Sequence, residues 1–555
     1  MQRLLPPRYL PFVLCLLVCA LSLAMLWDGP LHNSIFWRWL AAISGAFSLL
    51  GIWDVSQSKS TLRRNYPVIA HIRSFFEFFR PMLRQYVVES DTEEVPFSHV
   101  QRAIVYQRAK NVEDKRPFGT ELDLYATQYE WINHSLAPAT IASHDFRITI
   151  GGTQSTQPYS ASVFNISAMS FGSLSANAIR ALNEGARQGA RRGGFYHDTG
   201  EGSLSRYHRE NGGDICWEIG SGYFGCRNPD GTFCEQRFVD NAISPQVKII
   251  EIKLSQGAKP GHGGVLPGAK VSAEIAEARG VPMGEDCLSP AAHSAFSTPL
   301  GLLQFVARLR EKSGGKPTGF KLALGHPWEW FGIAKAMQQS GILPDFIVVD
   351  GGEGGTGAAP LEFTDHVGAP LREALLLVHN TLVGLNLRDQ IRIGASGKVI
   401  TAFDLARTFA LGADWCNAAR GFMFALGCIQ SQTCHTDRCP TGVATQDPSR
   451  WKKLNVPDKA ERVRMFHDNT LRAFKELIAA SGLSHPNELG PEHIIRRVSS
   501  TEVRSLSALY HFVKPGELIG GLPDHAVFKV FWDAARTDSF APPRTLLELH
   551  HTKSR

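Results

Sequence analysis

Three of the ten cysteines fall between positions 428 and 439, as Cys428-x5-Cys434-x4-Cys439. Thiolates are the usual ligands of iron–sulfur clusters, and three of them suit a cluster with one iron corner missing. Two other readings use the same residues: a structural zinc site with His435 as fourth ligand, and three unrelated buried thiols. Cys434-x4-Cys439 is at the upper limit of the C-x2-4-C step common in structural zinc sites, and Cys428-x5-Cys434 lies outside it. Just upstream, Ser396-Gly397-Lys398 and Arg420-Gly421 each set glycine beside a cation. That pairing suits a phosphate, which loop amides and a nearby helix N-terminus bind at the last strand ends of phosphate-binding barrels. Turn chemistry alone explains the glycines but not the cations.

Four further stretches carry chemistry. Lys253-x2-Gln256-x2-Lys259, followed by PGHGGVLPG, puts two ammonium groups and an amide on one loop. They can bind a carboxylate or stabilise developing negative charge, unless they are surface lysines on a glycine-rich turn. In HDTGEG, Glu201 stands between glycines, either as a solvated loop acid or exposed to a ligand. AMSFGS (168–173) allows close approach of backbone to a planar ring, or makes a tight turn with Ser175 as helix cap. DGGEGGTG (350–357) also permits close approach, but lacks the G-x-G-x-x-G that opens a long helix in dinucleotide-binding folds.

Short apolar runs alternating with helical stretches must position these residues. Eight candidate strands cover 162–170, 194–199, 247–254, 287–289, 319–324, 346–350, 390–395 and 414–419. Eight repeats predict an α/β fold, a (β/α)8 barrel with its chemistry in the loops after the strands. Lys321 falls inside the fifth strand, where a lysine needs an anionic partner. Residues 203–245, with the run WEIGSGYFGC, read as a loop over the barrel mouth, and Cys216, Cys226 and Cys234 as structural or free thiols.

Residues 9–27 carry no charge and are long enough to span a bilayer. Residues 35–53 form a second span, with Arg38 near its start able to snorkel. Arg3 and Arg8 precede this hairpin, and Lys59, Arg63 and Arg64 follow it; the loop between carries Asp28 and no lysine or arginine. The positive-inside rule then places both ends, and the catalytic domain, in the cytoplasm. A cleaved signal peptide is the competing reading. Residues 67–88 predict an amphipathic helix that lies on the membrane surface or packs on the barrel. The division expected is a hairpin (1–56), a helical connector (57–150) without chemistry, the barrel (151–446) and a helical extension (447–555).

A net charge of +6 with mixed signs throughout gives no nucleic-acid footprint. Ten cysteines in 555 residues do not suggest a disulfide scaffold.

The cysteine spacing, the following CPTGVATQ, the KxxQGAKPGxGGxLPG pattern and the barrel before them resemble the FMN-binding domain of glutamate synthase. The resemblance covers about 162–446 and implies an oxidoreductase acting on CH–NH2 donors, with FMN and a [3Fe-4S] cluster held by Cys428, Cys434 and Cys439. It implies FMN contacts from Met169, Ser170, Gly172, Lys253, Gln256, Lys321, Asp350, Gly351 and Gly352. Ser396, Gly397, Lys398, Arg420 and Gly421 hold its phosphate. Lys253, Lys259, Gln256 and Arg279 handle substrate carboxylates, and Glu201 handles protons or ammonia. The reaction implied is reductive amination of 2-oxoglutarate through 2-iminoglutarate, with free or glutamine-derived ammonia. Ferredoxin, a quinone or a reductase is the expected electron partner. The alternative is a membrane-associated flavin oxidoreductase acting on another 2-oxo, 2-hydroxy or amino acid, with a quinone or a ferredoxin-like partner. His262 and the segment Glu353-Gly354-Gly355 depart from the family pattern.

Overall fold

The computed structural model describes residues 7–27, 34–57, 60–88, 90, 96–189 and 194–542. Arg3, Asp28, Lys59, most of the acidic loop near 90–96 and the tail beyond 542 lie outside them. The chain divides into two units, 1–93 and 94–555. The connector of the sequence reading is therefore split between them.

In the first unit, helices Leu10–Trp27 and Ile35–Ser56 pack side by side. At 1.5 Å per residue, 18 and 22 residues reach across the apolar part of a bilayer. Their seam is small and polar: Ser22, Ser44, Ser48 and Gly51 are buried, while Leu, Ile, Phe and Trp side chains face outward. Each serine hydroxyl donates to the carbonyl four residues back, so no donor is stranded. A Cβ on Gly51 would stand 2.1 Å from the Phe12 ring, so only glycine allows this approach.

The second unit is a closed barrel of eight parallel strands in chain order. They are β1 (Phe164–Ile166), β2 (His197–Asp198), β3 (Ile215–Ile219), β4 (Val247–Lys253), β5 (Thr318–Leu322), β6 (Phe346–Asp350), β7 (Arg392–Ser396) and β8 (Trp415–Ala418). Pairing of Cys416 with Phe164 and of Ala418 with Ile166 closes the ring. The barrel was expected, but two strand assignments are corrected. Residues 215–219, read as part of a mouth loop, form β3. Cys287–Leu288, read as the fourth strand, pairs antiparallel with Val265–Leu266 outside the barrel. The ICWEI run is buried at every position yet carries a glutamate and leads into glycines, so it mimics a loop.

Side chains alternate between the barrel interior and the helix layer. A hairpin of Arg147–Ile150 and Tyr159–Ser162 closes the amino-terminal end, where Ile148, Ile150 and Tyr159 cluster with Tyr196, Ile249, Phe346 and Trp415. Asp345 fastens this end. Its carboxylate pairs with Arg310 at 2.8 Å and accepts N–H bonds from Gly152 and Thr318. Both ionic partners are buried, and breaking such a pair leaves an uncompensated charge. Asp345→Ala is expected to cost about 3–5 kcal/mol of stability, read as a lower denaturation midpoint.

Segments flanking the barrel wrap it. The 25-residue helix Val456–Ala480 packs on Ala176–Gln188 and on His99–Ala109. Glu130 receives Arg372 at 2.6 Å, Arg407 at 3.1 Å and Arg496 at 3.2 Å, joining strand Glu130–Ile132 to the carboxyl-terminal strand Ile494–Arg497 and two barrel helices.

Burial depresses several histidines, among them His293 and His379 to about 4 and His197 and His467 to about 3. Each is neutral when folded and gains a proton on unfolding below about 6.5, so stability is lost as pH falls from there toward 3–4. The slope is about 1.4 kcal/mol per pH unit for each histidine in that window. A chemical-denaturation series from pH 7 to 4 checks it, and His467→Phe is expected to flatten the profile by one histidine's share.

Candidate functional site

The carboxyl ends of β5 to β8 surround a cavity. The turn after β7 supplies Ser396, Gly397 and Lys398, and the start of the helix after β8 supplies Arg420 and Gly421. Asp350 ends β6, Lys321 lies on β5 and Gln256 on the turn after β4. These eight residues were singled out in the sequence, and the fold brings them to one wall. Lys398 takes φ +52°, uncommon for a residue with a side chain and characteristic of functional turns. Asp350 is fixed by the Gly257 N–H at 2.8 Å and by the Ser396 hydroxyl.

Arg420 is held in place. It donates to the Glu353 carbonyl at 2.6 Å and lies 4.6 Å from the Phe97 ring centre. Burial lowers its pKa to about 10, against Asp350 and Glu353, so it stays a cation at neutral pH. Glu353 also accepts the Leu371 N–H at 2.9 Å, at the start of the helix after β6. The Glu353-Gly354-Gly355 departure is thus a structural part of the wall: Gly354 and Gly355 line it, and a Cβ on Gly355 would meet the Arg420 guanidinium at 2.9 Å.

A second group gathers at the ends of β2 and β4. Lys253 Nζ lies 3.2 Å from the Glu201 carboxylate and donates to Gln256 Oε1 at 2.9 Å. Burial raises the Glu201 pKa, but Lys253, Arg279 and Lys259 outweigh it and leave it below the usual carboxylate range. Burial lowers Lys259, with Glu201 opposing. Arg279 donates to the Ser170 hydroxyl at 3.3 Å and the Phe171 carbonyl at 3.2 Å, while its buried Nε has no partner. A Cβ on Gly220 or Gly264 would stand 2.7 or 2.1 Å from Glu201 oxygens, so bare backbone encloses the carboxylate.

Other expected contacts lie off the cavity wall. Ser167 and Ala168 line it, whereas Ser170 and Gly172 face Arg279 and Met169 is buried. Gly351 and Gly352 are engaged by the Ser396 and Ala369 carbonyls. Lys321 does line the wall, but its ammonium is taken up by Glu218 and Glu251.

All ten cysteines are free. Cys428 follows the helix after β8, Cys434 opens a 3-10 turn and Cys439 is buried. Burial pushes Cys428 up to about 12. Cys439 differs: burial raises it, but the Thr441 hydroxyl and the N–H groups of Ala444, Thr441 and Val443 lower it below the ordinary thiol value. Gln430, Gln432 and Asp437 all take positive φ, so the loop is tightly wound. Lys270 braces it from below, donating to the Cys434 carbonyl at 2.8 Å and the Ala444 carbonyl at 3.2 Å.

Sequence reading missed two residues. Phe97, from the connector thought to lack chemistry, lines the cavity, and its carbonyl accepts from Gln430 of the cysteine loop. In sequence it is marked by nothing beyond its neighbours Pro96 and Ser98, the latter the cap of helix His99–Ala109. Asn417, on the interior face of β8, also lines the cavity. His293 sits at 2.8 Å from the Lys253 carbonyl and 3.1 Å from the Tyr223 hydroxyl, so it fixes the end of β4.

Comparison with known proteins decides the family. Residues 125–484 match the model of the conserved region in glutamate synthase. The glutamate synthase large subunit-like protein YerD of Bacillus subtilis is 37% identical over 504 residues, covering 84% of this chain and 95% of that one. The chain belongs to the glutamate synthase family. It is a glutamate synthase-like oxidoreductase. The archaeal-type glutamate synthase [NADPH] of Thermotoga neapolitana is 37% identical over 322 residues, 57% of this chain and 59% of that one. The glutamate synthase [NADPH] large chain of Bacillus subtilis is 33% identical over 348 residues, 60% of this chain and 21% of that one. The match thus spans about three fifths of the archaeal-type relative and a fifth of the large chain. The flavin-binding domain of baker's yeast flavocytochrome b2 covers 91% of this chain and 95% of that one at 12% identity, with a TM-score of 0.38, too low for any argument about the site.

Proposed function

We propose that this protein reductively aminates 2-oxoglutarate to glutamate through 2-iminoglutarate, at a site that holds FMN and a [3Fe-4S] cluster. The observation that carries the reading is the convergence of Glu201, Lys253, Gln256, Lys259 and Arg279 beside a cavity walled by Ser396, Lys398 and Arg420. The residues present fit both groups. Glycine backbone, two cations and a turn after β7 suit a flavin phosphate. The N–H donors gathered on Cys439 suit a cluster thiolate. FMN bound here supplies hydride chemistry, and the cluster supplies single electrons.

The chain's own residues do the rest. Lys259 and the unpartnered Nε of Arg279 hold substrate carboxylates by charge-assisted hydrogen bonds. Glu201, ionised beside Lys253, moves a proton at the substrate nitrogen. Glu201→Gln is expected to lower kcat by about 10²- to 10⁴-fold and to remove the acid limb of the pH–rate profile. In the parent protein that limb lies below the usual carboxylate range, because the neighbouring cations favour the ionised form.

The first unit carries the membrane reading. An outward apolar surface around a seam of serine and glycine is the pattern of a helix pair in lipid. This observation favours a second reading, in which a membrane quinone exchanges electrons with the site and another 2-hydroxy or amino acid is oxidised. Turnover assays separate the two. Glutamate formed from 2-oxoglutarate and ammonium with an artificial reductant supports the first; quinone-dependent turnover lost on deleting the hairpin supports the second.

A further inference from the structure

Beneath the cavity the barrel interior carries more negative than positive charge. Asp198 on β2, Glu218 on β3 and Glu251 on β4 are each 1% exposed. The cation among them is Lys321 on β5, paired with Glu218 and 3.4 Å from Glu251. The apolar layer of Ile249, Phe346, Val348 and Trp415 lies in the interior as well, with Tyr196 and Cys216 beside it. Three carboxylates against one ammonium would leave two uncompensated charges in a dry core, which costs far more than retaining a proton.

Geometry says where a proton would sit. Glu218 and Glu251 are register partners on the adjacent strands β3 and β4, and both lie against one ammonium, that of Lys321. One ammonium cannot neutralise two neighbouring buried carboxylates, so a proton kept by the pair removes the excess charge. Oε1 of Glu251 is buried, with the Lys321 ammonium 3.4 Å away, longer than a good charge-assisted hydrogen bond, as suits a carboxyl that is not fully charged. Burial raises Glu251 well above the usual range, with Asp198 and Glu218 adding to it and Lys321 opposing. Burial and Glu218 bring Asp198 to about 7, against Lys321, the Gly200 N–H and Lys253. The ligand atoms of Asp198, Cys216 and Glu251 are spaced as a cation would want, and the Lys321 ammonium answers that need. Lys321 also lines the cavity and feels Asp350 at its floor, so the cluster has an exit.

We propose that Asp198, Glu218 and Glu251 form a proton-holding cluster, with one proton shared by the Glu218–Glu251 pair and delivered to the cavity through Lys321. The balance is simple. Lys321 gives one N–H proton to an acceptor at the cavity floor and takes one from the pair, ending as the ammonium it was. The pair becomes a dianion and is refilled from solvent by the reverse path. The identity of the acceptor rests on the redox reading above; the shared proton does not. The three carboxyls are positioning residues, acting through Lys321.

Infrared spectroscopy of the full-length protein in D2O at neutral pH reads the shared proton directly. A protonated-carboxyl C=O band that shifts on 13C-glutamate labelling is expected, and it is expected to vanish in both Glu218→Gln and Glu251→Gln. A parent protein without such a band overturns the proposal, and that result needs no variant to fold. Delivery is tested by dithionite reduction with a pH-indicator dye. Proton uptake from bulk is expected to be one greater per reduced site in Glu251→Gln than in the parent; equal uptake, with an unchanged parent band on reduction, overturns delivery. A protein lacking flavin still gives the first readout, so failure of the redox reading is distinguishable.

Discussion

Cys439→Ala is expected to abolish iron and acid-labile sulfide, and to bring turnover with an external electron donor below detection. Cys439 is the loop cysteine whose sulfur the backbone prepares for negative charge: N–H groups of Thr441, Val443 and Ala444 and the Thr441 hydroxyl point to it, against the penalty of burial. Hydrogen bonds to sulfur of this kind set the properties of cluster ligands. Lys270, buried beneath the loop, adds positive charge close to Cys434 and Cys439. The loop follows the last barrel helix, so the barrel should keep its fold and its flavin. Cys234→Ala, on a partly exposed thiol far along the chain, is the control expected to change nothing. Iron retained at the parent level in Cys439→Ala would remove this residue from the ligand set.

Arg420→Met is expected to weaken FMN binding by about 2–3 kcal/mol, roughly 30- to 150-fold, the worth of a charge-assisted hydrogen bond to a phosphate. The guanidinium is already ordered by the Glu353 carbonyl and the Phe97 face, so little freedom is lost when an anion arrives. Methionine keeps most of the apolar contact with Phe97 while deleting the charge. Fluorescence titration of the apoprotein checks the outcome. The loss is expected for FMN and not for riboflavin, because only the phosphate is missed. Equal loss for both would mean that Arg420 supports the ring and not the phosphate.

Much of this site could be read from the chain because its residues are local. Ser396-Gly397-Lys398 and Arg420-Gly421 are each one turn long, and a turn holds its residues together whatever the rest of the fold does. Lys253, Gln256 and Lys259 share a strand end in the same way. Long-range placement was harder. Phe97 reaches the cavity from a segment more than three hundred residues before Gln430, and no short pattern announces such a contact. β3 was missed because ICWEI is buried on both faces, so it shows no alternation, and its glutamate faces a buried lysine that the local sequence does not reveal. Cys287–Leu288 was taken for a barrel strand because two apolar residues before a serine look the same in any short ladder. Lys321 was rightly expected to need an anion; that the anions are Glu218 and Glu251 could be known only once the barrel had closed.

The measurement that bears most directly on the proposed chemistry is anaerobic stopped-flow absorbance of detergent-purified, dithionite-reduced protein mixed with 2-oxoglutarate and ammonium. Reoxidation of the bound flavin that requires both additions, with glutamate as product, is the expected result. A flavin that stays reduced when both are present would contradict glutamate formation at this site.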